Sequence, residues 1–162
     1  MVKPAILWLF LAALLISSGQ ARKDNALLTV VQPSELASMK MDATLGNFGH
    51  ITYGQTIVGR VVMPTKSNNF GCEPLGDNQF EQPVDRSPNL SLFILVERGH
   101  CPNPDKVRNI QNFGAAIALI VDSKVEDMDD VVMMDFGGFG HSLITPGFMI
   151  DHNSGEEIKR FL

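Results

Sequence analysis

The chain has 162 residues, carries a formal net charge of −5, and is 44% hydrophobic with 19% charged residues. That length suits one domain and hardly two. Scattered basic residues on an acidic chain leave no electrostatic footprint for nucleic acid or an anionic membrane surface.

The first 21 residues read as a secretory signal peptide. Lys3 supplies a short positive start, residues 5–16 are an unbroken apolar run, and Ser17, Ser18, Gly19, Gln20 and Ala21 follow with small and polar side chains. The run is short of the roughly 20 apolar residues of a spanning helix, so cleavage after Ala21 is expected. No later segment is long and apolar enough to span a bilayer. The mature protein is therefore expected in the lumen of the secretory pathway (endoplasmic reticulum, Golgi, endosome or vacuole) or outside the cell, as a single domain over residues 26–162.

Within that domain, residues 27–31 predict a strand that ends before Pro33, and residues 34–41 predict a helical turn or loop. Gly46, Gly49 and Gly54 punctuate the next stretch. Residues 56–63 are β-branched and apolar, a strand stopped by Pro64. Residues 65–90, rich in Asn, Gly, Pro, Asp and Gln, predict a long surface loop. Residues 92–96 predict a buried strand. Asn103, Pro104 and Asp105 then predict a helix start, with asparagine as N-cap, proline in the first turn and an acidic residue at the positive end. That helix runs over 104–113 and stops at Gly114. Residues 115–121 predict the next buried strand. Strand, helix and strand make a βαβ unit with a parallel pair. An acidic loop covers 122–130, without the spacing of a calcium loop. Gly137, Gly138 and Gly140 do not open a helix after a strand, so they are no dinucleotide fingerprint. Residues 148–150 predict a short strand, and Ser154 with Glu157 predicts a capping box for a last helix bearing Ile158, Phe161 and Leu162. An ending on two apolar residues leaves two readings open: a chain cut within its C-terminal helix, or a terminus docked in the core.

Cys72 and Cys101 are the only cysteines. In an oxidising compartment an even count argues for one bridge. Free structural thiols and a reactive or ligating Cys101 are the rivals. His100 is poorly placed as a base for Cys101, because adjacent side chains diverge. A zinc site lacks the spacing for four ligands, and neither a metal nor a cofactor is expected. None of Gly-x-Ser-x-Gly, His-Glu-x-x-His or a papain-like cysteine context is present, and His50, His100, His141 and His152 are scattered. An independent hydrolase is accordingly disfavoured. Asn89-Leu90-Ser91 is an acceptor sequence for N-glycosylation.

Arg98-Gly99-His100-Cys101, followed by Lys106 and by Gly114-Ala115-Ala116, resembles the signature of the protease-associated (PA) domain. The stretch GNFGHITYGQTIVGRVVMP at 46–64, VDSK at 121–124, Pro146 and the final SGEEIKRFL narrow the likeness to the luminal N-terminal PA domain of vacuolar sorting receptors. The resemblance implies a mixed α/β fold, a β-sandwich or barrel flanked by helices. It implies a non-catalytic module that recognises cargo proteins or peptides, with Arg98, Gly99, His100, Cys101, Pro102 and Asn103 in the cargo-binding loop. A PA domain from a membrane RING ubiquitin ligase, or an accessory domain of a secreted protease, is the alternative. Two positions depart from the family: Asn103 stands where an aromatic residue is usual, and His100 where an acidic or small one is common. Physical chemistry gives the same loop a role. Ligands meet parallel sheets at the carboxyl ends of strands, a helix start offers N–H groups, and Arg98 adds a rigid fork of donors. Arg98 pairing with an acidic residue is the competing reading.

Overall fold

A computed structural model describes residues 24–125, 131–135, 137–138 and 140–162. The expected signal peptide and most of the acidic loop lie outside the described residues.

Six strands form one curled sheet with the order β1-β2-β6-β5-β4-β3. They are β1 (Asn25–Thr29), β2 (Lys40–Leu45), β3 (Gly59–Val62), β4 (Ser91–Glu97), β5 (Ile117–Val121) and β6 (Gly147–Ile150). Strands β3, β4, β5 and β6 run parallel, and β1 and β2 close one side in antiparallel register. Helix α1 (Asn103–Phe113) links β4 to β5, and α2 (His152–Lys159) follows β6. The expected βαβ unit and mixed α/β class are both present.

The strand sequences explain the layers. SLFILVE and IALIV are buried nearly throughout, as parallel strands covered on both faces must be. On one face Ile94, Val96, Ala118, Ile120 and Met149 pack against Val107, Ile110 and Phe113 of α1. On the other, Phe93, Leu95, Leu119, Val121, Phe148 and Ile150 meet Met41 and Ala43 of β2 and Ile158 of α2.

Local departures from the sequence reading concentrate at element ends. Strand β2 falls where a turn and glycine punctuation were expected. Its KMDATL alternates outward and inward, with Met41 and Ala43 buried. Lysine, aspartate and alanine are weak strand formers, and pairing with β1 and β6 overrides them. Pro102, not Asn103, is the N-cap of α1, with no side-chain cap bond, so Asn103 and Pro104 open the helix. Helix α2 starts earlier than expected: Asp151 is its N-cap and accepts from Ser154 N at 2.9 Å. Gly114 does stop α1, in the left-handed conformation at φ 93°. Ile158 is buried, whereas Phe161 and Leu162 are 43% and 47% exposed.

Candidate peptide-recognition site

Three parallel strands deliver their carboxyl ends side by side. Arg98 follows β4, Asp122 follows β5 and Asp151 follows β6. The long loop after β3 reaches the same end, bringing Phe70 and Cys72 beside the Arg98 turn.

Cys72 and Cys101 are joined, with Cα atoms 5.8 Å apart and a sequence separation of 29. The bridge pins the loop to the turn, and its entropic contribution is about 3–4 kcal/mol on the chain-closure view. The loop is also hydrogen bonded to neighbouring elements. Glu97 N donates to Asn69 O at 2.9 Å, and Asn109 Nδ2 donates to Gly71 O at 3.0 Å.

Lys106 closes the turn from below. Its side chain is fully buried, an uncommon position for a lysine. The ammonium donates to Gly99 O and to Phe70 O, both at 2.6 Å, and lies 3.5 Å from Cys72 Sγ. Burial lowers its pKa from 10.5 to about 8, against the opposing pull of the Glu97 charge. In the sequence Lys106 stands only as a residue of the motif, within the helix expected over 104–113. Its spacing on α1 turns it inward beside Val107 and Ile110, which the motif alone did not reveal.

Arg98 is committed to a partner. Its Nη1 donates to Asp122 Oδ1 at 2.8 Å and to Oδ2 at 3.0 Å, and its backbone N donates to Val121 O. The Asp122 side chain is fully buried, whereas that of Arg98 is 40% exposed. Asp122 O in turn lies 2.9 Å from His152 Nδ1, at the start of α2. Pairing of Arg98 with an acidic residue was the competing expectation, and Asp122 of the VDSK stretch is that residue, although the sequence did not single it out.

The remaining turn residues form an open ridge. Gly99 has φ 115°, and His100 has φ 65°, a left-handed conformation that non-glycine residues rarely adopt. The His100 ring packs against that of Phe70, tilted by 35° with centroids 3.8 Å apart. His100 and Pro102 are exposed, with Gly99, Cys101 and Asn103 half-buried. All six residues of the expected loop therefore sit together. A concavity of about 480 Å³, lined by Asn47, His50, Ile51 and Tyr53 among others, lies at the opposite end of the sheet. Leu45 pairs with Phe148 at the amino end of β6, so the two surfaces are not one site.

The chain is similar to known proteins. A family profile described as "PA domain" matches residues 57–158. Vacuolar-sorting receptor 1 of Pisum sativum is 31% identical over 160 residues, covering 93% of this chain and 24% of the receptor. Vacuolar-sorting receptor 3 of Arabidopsis thaliana is 31% identical over 167 residues, covering 94% of this chain and 25% of the receptor. The chain thus spans about a quarter of the length of these curated relatives. Among solved structures, a peptidase M28 precursor from Shewanella amazonensis superposes with a TM-score of 0.39 at 13% identity, over 98% of this chain and 38% of that one. A likeness of that size carries no argument.

Proposed function

We propose, since this chain belongs to the PA domain family, that it is a non-catalytic module spanning residues 26–162 that recognises peptide segments of proteins bound for a vacuole or lysosome-like compartment. The observation that carries the reading is the Arg98 turn. It is an exposed ridge at the carboxyl ends of parallel strands, clamped by the Cys72–Cys101 bridge and by the Lys106 ammonium. Such an end is where parallel sheets receive ligands, and a ridge held on two sides loses little freedom on binding. The kinship with vacuolar-sorting receptors supplies the class of partner. A bridged cysteine pair fits the oxidising lumen of the secretory pathway.

Binding would use Arg98, Gly99, His100, Cys101, Pro102 and Asn103. His100 and Asn103, which differ from the usual family residues, would set the preference among peptides. The test is titration of synthetic peptides covering the sorting segments of soluble vacuolar proteins against secreted protein, wild type and His100→Ala/Asn103→Ala. At least one peptide should bind with an affinity that the double variant changes about tenfold. Peptides that bind both proteins equally would exclude this turn as the site.

A further inference from the structure

We infer that Lys106 is the positioning residue of the recognition turn: its buried ammonium holds the Gly99 carbonyl inward and thereby aims the His100 N–H outward as a donor for an oxygen of the bound peptide. The inference rests on the reading of the Arg98 turn as the binding site.

In a trans peptide the carbonyl and the following N–H point in opposite directions. The Gly99 carbonyl is drawn under the turn by two donors, Lys106 Nζ at 2.6 Å and Cys101 N at 2.8 Å. The N–H on the other side of that plane belongs to His100, and it has no hydrogen-bond partner among the described residues. A backbone donor left without a protein partner on an exposed residue is ready for an acceptor from outside.

The conformation needs a restraint. His100 adopts a left-handed φ of 65° immediately after Gly99 at 115°, and non-glycine residues pay for such geometry unless neighbours fix it. The bridge fixes Cys101, one residue further on. It reaches the Gly99–His100 plane only indirectly, through the Cys101 N–H on the Gly99 carbonyl. Lys106 does so directly, and it also ties Phe70 O at 2.6 Å beneath the ring against which His100 packs. One ammonium therefore holds both the peptide plane and the platform of the His100 side chain. A charged donor is roughly twice as strong as a neutral one, and its charge polarises the peptide unit toward better donation at the far N–H. The ligand group that fits is a carbonyl or carboxylate oxygen of an extended peptide.

Lys106→Met keeps the apolar stem and removes the ammonium. The protein is compared with wild type by mass under non-reducing conditions, by melting temperature, by the amide spectrum, and by titration with a peptide found to bind wild type. The expected result is an intact bridge, a melting temperature within a few degrees of wild type, and affinity reduced about tenfold or more. The His100 amide resonance should move toward an averaged value in the free variant. In wild type that resonance should shift downfield on peptide addition, as a new hydrogen bond requires. Lys106→Gln, which retains a donor for one carbonyl, should fall between the two and covers the case in which the methionine variant does not fold. Wild-type affinity in a folded variant, or a His100 amide unmoved by a peptide that shifts its neighbours, overturns the inference and leaves the binding site standing. Peptide shifts confined to other parts of the sheet overturn the site itself.

Discussion

At the scale of single residues, two cations hold the turn, and each makes a separable prediction. Arg98 reads from sequence as either a ligand-facing cation or the partner of an acidic residue, and it pairs with the carboxylate of Asp122, fully buried against it. Removing the arginine strands that carboxylate. Arg98→Ala should therefore cost about 1–3 kcal/mol of stability, the penalty of a charge-assisted bond lost at a buried partner, reduced because the guanidinium is partly exposed. Asp122→Asn added to Arg98→Ala should restore much of the stability in urea unfolding without restoring peptide affinity, if Arg98 also touches ligand. Recovery of both together would make the arginine purely structural. Lys106 gives a pH signature. Its folded pKa is lowered to about 8 from 10.5, so between those values the unfolded chain binds more protons than the folded one, and stability rises with pH. Relative to Lys106→Met, wild type should gain about 2 kcal/mol from pH 7.5 to 9.5. A flat difference across that window would show that the ammonium is not lost there. The sequence placed Arg98 and Lys106 in one motif but could not show that one pairs sideways and the other points down. Such orientations depend on β5 and the loop after β3, far away in sequence.

At the scale of elements, the strongly patterned segments were legible and the weakly patterned ones were not. SLFILVE and IALIV are uniform apolar runs around a helical segment with a glycine stop, and strand, helix and strand all appear where the pattern puts them. KMDATL carries no such signal, because its strand character comes from pairing with β6 at Ala43↔Ile150 and with β1. The helix starts were misread for a related reason. Ser154 looks like a cap before Glu157, but Asp151 lies at the end of β6 and accepts from Ser154 N first. That earlier start makes Gly155 an internal residue of α2, seated on Val121 of β5. A Cβ there would collide with the Val121 side chain. Gly155→Ala, which ordinarily favours a helix, should here destabilise by about 1–3 kcal/mol through overpacking. Chemical denaturation measures it, and a stabilised variant would mean that α2 does not pack this closely. Because α2 also ties Lys159 to Glu97 at 3.3 Å beside the turn, that variant should loosen the Arg98 end of the sheet before the β1–β2 end.

At the scale of the whole molecule, the two ends of the sheet carry different features. The bridge, the Lys106 ammonium and the Arg98 turn stand at the carboxyl ends of β4, β5 and β6, whereas Asn89 precedes β4 at its amino end. Asn89 is exposed in a turn, with Ser91 as the first residue of the strand. If secretion is as the first 21 residues predict, the sequon passes the glycosylation machinery before β4 has formed, and its turn offers an accessible side chain. The length of β4 separates this asparagine from Arg98 by about 20 Å at the usual rise per residue, so a glycan rooted there is directed away from the recognition ridge. Secreted Asn89→Gln should therefore migrate faster in a gel than wild type while binding the same peptides with unchanged affinity. Unchanged migration would show the sequon unused. Faster migration with altered affinity would show that the amino end of the sheet, where the concavity beside His50 and Tyr53 also lies, takes part in recognition.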